Sequence, residues 1–324
     1  MAKKSVNRSL AIGFLLLGMG LPIAVLWQSD SIASPIAGEL GLLNKTWGSQ
    51  GGEPGLFQKP RAMTIDDLDR LYIVDKAARI QVFDREGKFS HGWKTPKRQF
   101  GKPTGLSFDN EGNLMVADTH YYRILFYTPQ GKLLTEKTIG GNEGQGPGEF
   151  GWVTDCVQDS KGNFYISEYG ELDRIHKFSP DRKFLWSWGG HGSGDDEFMR
   201  PANLAIDEED HLWVVDATNN RVMQFDVSGD RQKLLQNWGK EGGKPGQLKY
   251  PYDIVLDGDF VYICEFGNSR IQKFLRDGTY VSHWGVQGRD EGELYNPWAI
   301  VKDSRNHLHV LDTYNQRVHR IRLQ

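Results

Sequence analysis

Cysteine is nearly absent from this sequence, with only two among 324 residues. A secreted scaffold held together by a disulfide framework would carry more of them, so that class of protein is excluded. Cys156 and Cys264 each stand where comparable segments of the chain have ordinary apolar residues. We predict that both are buried as small apolar side chains. A disulfide between them is an alternative that the sequence leaves open.

An excess of basic charge is also lacking, because the formal net charge is −3. Nucleic-acid-binding domains usually present a basic face, so no nucleic-acid partner is predicted. Helical periodicity is lacking as well, which excludes a helical solenoid. The chain contains no G-x-S-x-G, H-E-x-x-H or P-loop signature, so the chemistry that those motifs carry is not predicted. What is abundant is glycine, with 38 residues, and tryptophan, with 10. This composition is typical of an all-β repeat architecture.

The first 40 residues differ from the rest of the chain. Residues 1–9 form a basic segment, residues 10–27 are an uncharged apolar run, and residues 28–40 are a linker. This pattern predicts a hydrophobic helix that acts as a signal anchor, or a signal peptide cleaved near residues 31–33. We therefore expect export, with residues 41–324 in the periplasm or outside the cell. The domain is tethered to the membrane by the helix, or secreted if the leader is cleaved.

A unit of about 46–50 residues recurs along the remaining chain, within the range of four-stranded propeller blades. Its six cores are residues 60–84, 103–127, 153–178, 201–226, 251–274 and 297–321. Alternating apolar residues predict three strands in each core. A fourth strand follows and ends in Trp-Gly or its equivalent. The sixth core lacks this strand, and residues 41–48 have the matching ending. We therefore predict a six-bladed ring that the N-terminal strand closes, which removes exposed strand edges.

The pattern within each core resembles the NHL repeat family of β-propellers. The clearest matches are Asp216…Asn219…Arg221, Glu265…Asn268…Arg270 and Asp312…Asn315…Arg317. The resemblance covers residues 41–324 and implies an all-β, six-bladed propeller of NHL repeats. Because one acid–arginine pair recurs in every blade, we interpret these pairs as scaffold that closes the turn between the second and third strands. They are Asp75–Arg79, Asp118–Arg123, Glu168–Arg174, Asp216–Arg221, Glu265–Arg270 and Asp312–Arg317.

The mouth of the central channel is the expected position of a site. The residues that follow the proline at the start of each core, or Val153 in the third core, are expected to form a ring there: Arg61, Thr104, Thr154, Ala202, Tyr252 and Trp298. Exposed tryptophan, tyrosine and arginine are the usual energetic centres of protein interfaces. We predict that Arg61, Trp152, Tyr252 and Trp298 form a contact surface for a partner. Filling of the channel by these side chains is the alternative.

A metal site at the same ring is a further possibility. The chain resembles the propeller of peptidyl-α-hydroxyglycine amidating lyases, and that resemblance implies zinc-binding histidines after the proline in three blades. None of the six ring residues is histidine, so a zinc lyase site is disfavoured. Asp155, Asn203 and Asp253 share one repeat position in successive blades and are an alternative calcium site. The competing interpretation is that these residues accept hydrogen bonds from nearby backbone groups.

Irregular copies of the unit point to loops that carry function on a rigid scaffold. The first copy shortens the acid-to-arginine turn, and the third lengthens it and has Val153 in place of proline. We interpret the protein as a non-catalytic module that binds a protein partner or assembles with a membrane complex, without a cofactor. One alternative is a lyase or lactonase-type hydrolase that uses a divalent metal. Another is an extracytoplasmic ligand sensor or a subunit of a membrane complex.

Overall fold

The computed structural model describes residues 40–99 and 102–324, which form six four-stranded antiparallel sheets. The predicted hydrophobic helix and its flanking segments, residues 1–39, lie outside the described residues. Within the described residues, no helix is long and apolar enough to cross a membrane.

The ring begins with the N-terminal strand β1 (Gly41–Trp47). The first blade contains β2 (Pro60–Ile65), β3 (Leu71–Asp75), β4 (Arg79–Phe83) and β5 (Phe89–Lys94). The second blade contains β6 (Gly105–Phe108), β7 (Leu114–Asp118), β8 (Arg123–Tyr127) and β9 (Ile139–Gly140). Two short 3-10 helices, Thr119–Tyr121 and Thr135–Lys137, occur in this blade. The second of them lies just before β9, which keeps only two residues in strand conformation.

The remaining blades repeat the same order. The third contains β10 (Trp152–Gln158), β11 (Phe164–Tyr169), β12 (Arg174–Phe178) and β13 (Phe184–Gly189). The fourth contains β14 (Pro201–Ile206), β15 (His211–Asp216), β16 (Arg221–Asp226) and β17 (Lys233–Trp238). The fifth contains β18 (Pro251–Asp257), β19 (Phe260–Glu265), β20 (Arg270–Leu275) and β21 (Tyr280–Trp284). The sixth contains β22 (Ala299–Lys302), β23 (His307–Asp312) and β24 (Arg317–Leu323).

Strand β1 completes the sixth blade, as the sequence predicts. It pairs antiparallel with β24, from Gly41 opposite Leu323 to Trp47 opposite Val318. The sheet therefore has the order β1-β24-β23-β22, with the first and last strands of the propeller in one blade. Closure matters because an unpaired β24 would expose a row of backbone donors and acceptors to other chains.

The predicted acid–arginine pairs form in all six blades. In five of them the arginine also donates to backbone carbonyls of the connector, meaning the glycine-rich segment that leads into its blade. Arg270, for example, donates to Glu265 at 2.6 Å and to the carbonyls of Gly243, Lys244 and Gln247 at 2.8–3.0 Å. All six pairs therefore satisfy buried charges, and five of them also fix an irregular connector over the mouth face.

Apolar clusters fill the spaces between neighbouring blades. Between the sixth and first blades, Trp47 packs on Phe57 and Phe83, with ring centroids 5.8 and 4.8 Å apart. The tryptophans that end the fourth strands of other blades, Trp93, Trp188, Trp238 and Trp284, also pack in clusters between blades. Cys156 and Cys264 are buried in two different clusters and are unpaired, so the prediction of small apolar side chains is confirmed.

One buried histidine predicts acid sensitivity. His176 is fully buried with Nε2 3.0 Å from Glu168 Oε1, and burial lowers the pKa of His176 although Glu168 opposes that shift. The folded protein thus binds a proton less readily than the unfolded chain, in which histidine has a pKa of about 6.5. Stability contributed by neutral His176 is present above that pH and is lost as the pH falls.

The equivalent position in two other blades holds Gln81 and Gln272. Glutamine is therefore the substitution for His176 that the fold is expected to accommodate best. We expect the free energy of unfolding of His176→Gln to fall less than that of the wild type between roughly pH 7 and pH 5. Urea denaturation across this range measures the difference. Parallel profiles for the two proteins would show that His176 does not limit stability in acid.

Candidate functional site at the channel mouth

The ring residues reach the mouth because the first strand of most blades carries a β-bulge at their position. The pairing register shifts between Pro60 and Ala62, and equivalent shifts occur in the third, fourth and fifth blades. The extra residue in each shift is a ring residue: Arg61, Thr154, Ala202 or Tyr252. Bulges redirect a side chain relative to regular pleating. Thr104 and Trp298 directly precede the first strands of the second and sixth blades.

Two arginines stack on aromatic rings at this mouth. The Arg61 guanidinium lies 5.4 Å from the ring centroid of Trp298. The Arg200 guanidinium lies 4.9 Å from the ring of Tyr169 and 5.1 Å from that of Tyr252. Tyr252 and Trp298 contact each other, with centroids 4.9 Å apart. We call Arg61, Tyr169, Arg200, Tyr252 and Trp298 the mouth cluster.

The charges of the mouth cluster are not neutralised by nearby carboxylates. Among the ion pairs of the described residues, none involves Arg61 or Arg200. Burial lowers the pKa of Arg61, and the charge of Arg200 contributes in the same direction. Burial, Arg61 and Lys102 likewise lower the pKa of His120. The mouth is therefore a positively charged surface in which cations are partly removed from water, a setting that favours an anionic partner.

The exposed aromatic residues gather on the same face. Trp152, Tyr250 and Tyr314 are 40%, 41% and 36% exposed. Lys59 stacks on Tyr314 at 4.8 Å, and Phe266 joins Tyr314 to the mouth cluster through contacts with Tyr252 and Trp298. Wide exposed surfaces of tyrosine, tryptophan and cations are typical of protein contact sites.

The ring leaves little space inside the channel mouth. Its two cavities have volumes of about 20 Å³ each, room for roughly one water molecule. Ring side chains thus fill the mouth end of the channel, as the alternative interpretation holds. Beyond them the first strands of all six blades line a cavity of about 350 Å³, whose walls include Asp155, Asn203 and Asp253. A ligand of ordinary size would rest on the mouth rather than enter it.

Two of the candidate calcium residues, Asp155 and Asp253, accept hydrogen bonds from backbone amides of the neighbouring blade. Asp155 Oδ2 accepts from the Leu204 amide at 3.1 Å, and Asp253 Oδ2 accepts from the Ile300 amide at 2.7 Å. Asp253 Oδ1 accepts from its own strand, the Ile254 amide. Burial raises the pKa of Asp155 to about 7 and that of Asp253 well above its usual range. These contacts fit the backbone-acceptor interpretation and fit poorly with calcium, which requires six to eight oxygen ligands. Calcium binding here stays a prediction.

A larger cavity of about 450 Å³ opens on the mouth face beside the third blade. Its walls include Phe150, Trp152, Tyr169 and Leu172, and three glutamates line it: Glu143, Glu168 and Glu171. Trp152 contacts Tyr169 with centroids 5.3 Å apart. Because Tyr169 also stacks on Arg200, the cavity adjoins the mouth cluster.

Two local departures from the repeat open this cavity. In the fourth, fifth and sixth blades an asparagine amide joins the turn to the connector, as Asn219 does through the Gly192 carbonyl at 2.8 Å. The longer turn of the third blade has no asparagine there, and Gln145 reaches Glu171 at only 3.4 Å. In addition, Trp152 begins β10 in extended conformation, whereas Arg200 before Pro201 has a φ of 63°. The turn and connector are thus held apart.

Three of the four predicted contact residues, Arg61, Tyr252 and Trp298, lie together, and Trp152 lines the adjoining cavity. Sequence reasoning missed Arg200, Phe266 and Tyr314. Arg200 stands just before the proline, Phe266 directly follows the acid that ends the second strand, and Tyr314 lies two residues after that acid. The signal for Arg200 would have been that the position before proline belongs to the same face as the ring.

Comparisons with known proteins agree with this architecture. No model of a known protein family matches the chain. NHL repeat-containing protein 3 from Mus musculus is 26% identical over 230 residues, covering 66% of this chain and 64% of that protein. The match therefore spans less than two thirds of that relative's length. Peptidyl-alpha-hydroxyglycine alpha-amidating lyase 1 from Drosophila melanogaster is 31% identical over 201 residues, 61% of this chain and 31% of that protein.

Among solved structures, virginiamycin B lyase from Staphylococcus aureus matches with a TM-score of 0.59 and 13% identity, over 86% of this chain and 99% of that one. At this identity the likeness concerns the fold alone. The closed ring of six four-stranded blades defines the class, a six-bladed β-propeller. Its sequence is similar to NHL repeat-containing protein 3 and to peptidyl-alpha-hydroxyglycine alpha-amidating lyase 1, in line with the NHL-type repeat pattern.

Proposed function

We propose that the propeller is a non-catalytic binding module that holds an acidic segment of a partner protein over its channel mouth. The observation that carries this proposal is the mouth cluster, in which Arg61 and Arg200 stack on aromatic rings and form no ion pair among the described residues. Partly desolvated guanidinium groups bind carboxylates through strong, charge-assisted hydrogen bonds.

The lack of space at the mouth end of the channel supports a macromolecular partner there rather than a small molecule. The mouth cavities of about 20 Å³ are far below the ~300–1,000 Å³ usual for ligand pockets. In contrast, Trp152, Tyr250 and Tyr314 offer exposed aromatic area around the charges. An extended acidic segment with apolar residues could contact both features at once.

Fluorescence anisotropy tests this proposal with a labelled peptide of alternating glutamate and phenylalanine. We expect the full-length chain to bind it more tightly than a matched lysine–phenylalanine peptide. The double variant Arg61→Ala/Arg200→Ala should bind at least about tenfold more weakly, since each charged hydrogen bond contributes roughly 1.5–3 kcal/mol. Lys132→Ala, in an exposed turn on the opposite face, is the control. Equal affinity in the double variant would contradict the proposal.

A second candidate is a metal-dependent lyase or hydrolase. Its support is the 31% identity to a relative whose name includes peptidyl-alpha-hydroxyglycine lyase activity. None of the six ring residues is histidine, and Asp155 Oδ2 and both carboxylate oxygens of Asp253 accept backbone hydrogen bonds. A stoichiometric divalent ion in the purified protein, together with cleavage of a peptidyl-α-hydroxyglycine substrate, would establish this candidate in place of the first.

We propose further that the domain works outside the cytoplasm beside a membrane, where its partner is a membrane complex. The support is the basic and apolar pattern of residues 1–27. Co-purification from detergent-solubilised membranes tests it. A partner retained equally by the wild type and by Arg61→Ala/Trp298→Ala would show that contact occurs elsewhere.

A further inference from the structure

The cavity beside the third blade has a chemistry opposite to that of the mouth. Its walls are aromatic and apolar, and its volume of about 450 Å³ falls within the range of ligand-binding pockets. It lies where the third blade departs from the repeat, beside the longer turn and the extended Trp152. A second, different ligand group therefore has room next to the mouth cluster.

The charge of this cavity is negative. Glu168 is neutralised by Arg174 and also contacts His176. Glu143 and Glu171 lie exposed at the rim and form no ion pair among the described residues. The contacts that they do make are with neutral groups: Tyr122 for Glu143 and Gln145 for Glu171. Two uncompensated carboxylates thus border an aromatic wall.

We propose that this cavity binds an arginine side chain of the partner whose acidic segment covers the mouth. A guanidinium group stacks on flat aromatic surfaces and donates to carboxylates, so it matches Trp152 and Tyr169 together with Glu143 and Glu171. Tyr169 lies between the two subsites, since its ring contacts both Arg200 of the mouth cluster and Trp152 of the cavity wall. The inference rests on the proposed function and adds a required basic residue beside the acidic segment.

Saturation-transfer NMR on the full-length chain tests the cavity by itself. The probes are N-acetyl-arginine amide and its neutral isostere N-acetyl-citrulline amide. We expect the arginine probe to bind about fivefold more tightly, or more, because only it carries the charge. Glu143→Gln/Glu171→Gln should reduce its affinity to that of the citrulline probe. Both substitutions lie on exposed side chains, so the fold is expected to be kept.

The outcomes separate this inference from the proposed function. Equal affinity of both probes for the wild type would overturn it, as would an arginine preference that survives Glu143→Gln/Glu171→Gln. Lys132→Ala, in an exposed turn on the opposite face, should leave the arginine preference unchanged. Failure of the acidic peptide to bind would contradict the proposed function while leaving the arginine result to stand or fall alone.

Discussion

Replacing Arg270 with alanine is expected to lower the free energy of unfolding by about 3–5 kcal/mol, the usual cost of breaking a buried ion pair. Arg270 is 7% exposed and its partner Glu265 is fully buried. The substitution removes the partner of that carboxylate and leaves the carbonyls of Gly243, Lys244 and Gln247 without their donor. Since small domains have only about 5–15 kcal/mol of stability, the effect should be large. Chemical denaturation measures it.

Two control variants separate the cost of an unpaired buried carboxylate from the cost of the lost hydrogen bonds to the connector. Adding Glu265→Gln to Arg270→Ala should recover part of the loss, because burial already raises the pKa of Glu265 and a neutral amide costs less to bury than a carboxylate. Arg305→Ala, at an exposed turn, should change stability by no more than about 0.5 kcal/mol. If Arg270→Ala behaved like Arg305→Ala, the acid–arginine pair would not be what holds the blade and connector together.

Deleting residues 1–48 is expected to abolish cooperative folding at ordinary temperature. The deletion removes β1 and so exposes the edge of β24 that pairs with it. It also takes Trp47 from the cluster that contains Phe57 and Phe83. Loss of a packed tryptophan alone costs about 3–5 kcal/mol. The exposed edge of β24 should also recruit other chains. Circular dichroism melting and light scattering after size-exclusion chromatography detect both effects.

Deletion of residues 1–39 is the matched control, because it keeps β1 and the buried Leu40. We expect this shorter chain to melt at the same temperature as the wild type and to have the same oligomeric state. A chain lacking residues 1–48 that still melted cooperatively as a monomer would show that the ring does not depend on closure by β1.

Much of the fold could be predicted from the sequence because the unit repeats. Six copies of one pattern give six independent indications of the same strands, and the missing fourth strand of the last copy identifies residues 41–48 as its substitute. The acid–arginine pairs were recognisable for the same reason. In the second blade, where a 3-10 helix precedes β9, the last strand is much shorter than repetition suggested.

The site was less accessible to sequence reasoning, for two physical reasons. A β-bulge reverses the alternation of side chains at Arg61 and Tyr252, and alternation alone does not reveal it. Contacts between blades, such as Arg200 on Tyr169 and Tyr252, join residues that are distant in the chain. The cavity beside Trp152 accompanies the longer turn of the third blade and the extended conformation of Trp152. Irregular copies indicated the region, but its volume and charge required the structure.

A selection from a random peptide library on the full-length chain, run in parallel on Arg61→Ala/Arg200→Ala, tests the binding proposal most directly. The wild type should enrich peptides with an acidic stretch and apolar residues, and the double variant should lose that enrichment. Recovery of the same peptides by both proteins, or enrichment of basic peptides by the wild type, would contradict the proposal that the mouth cluster binds an acidic segment.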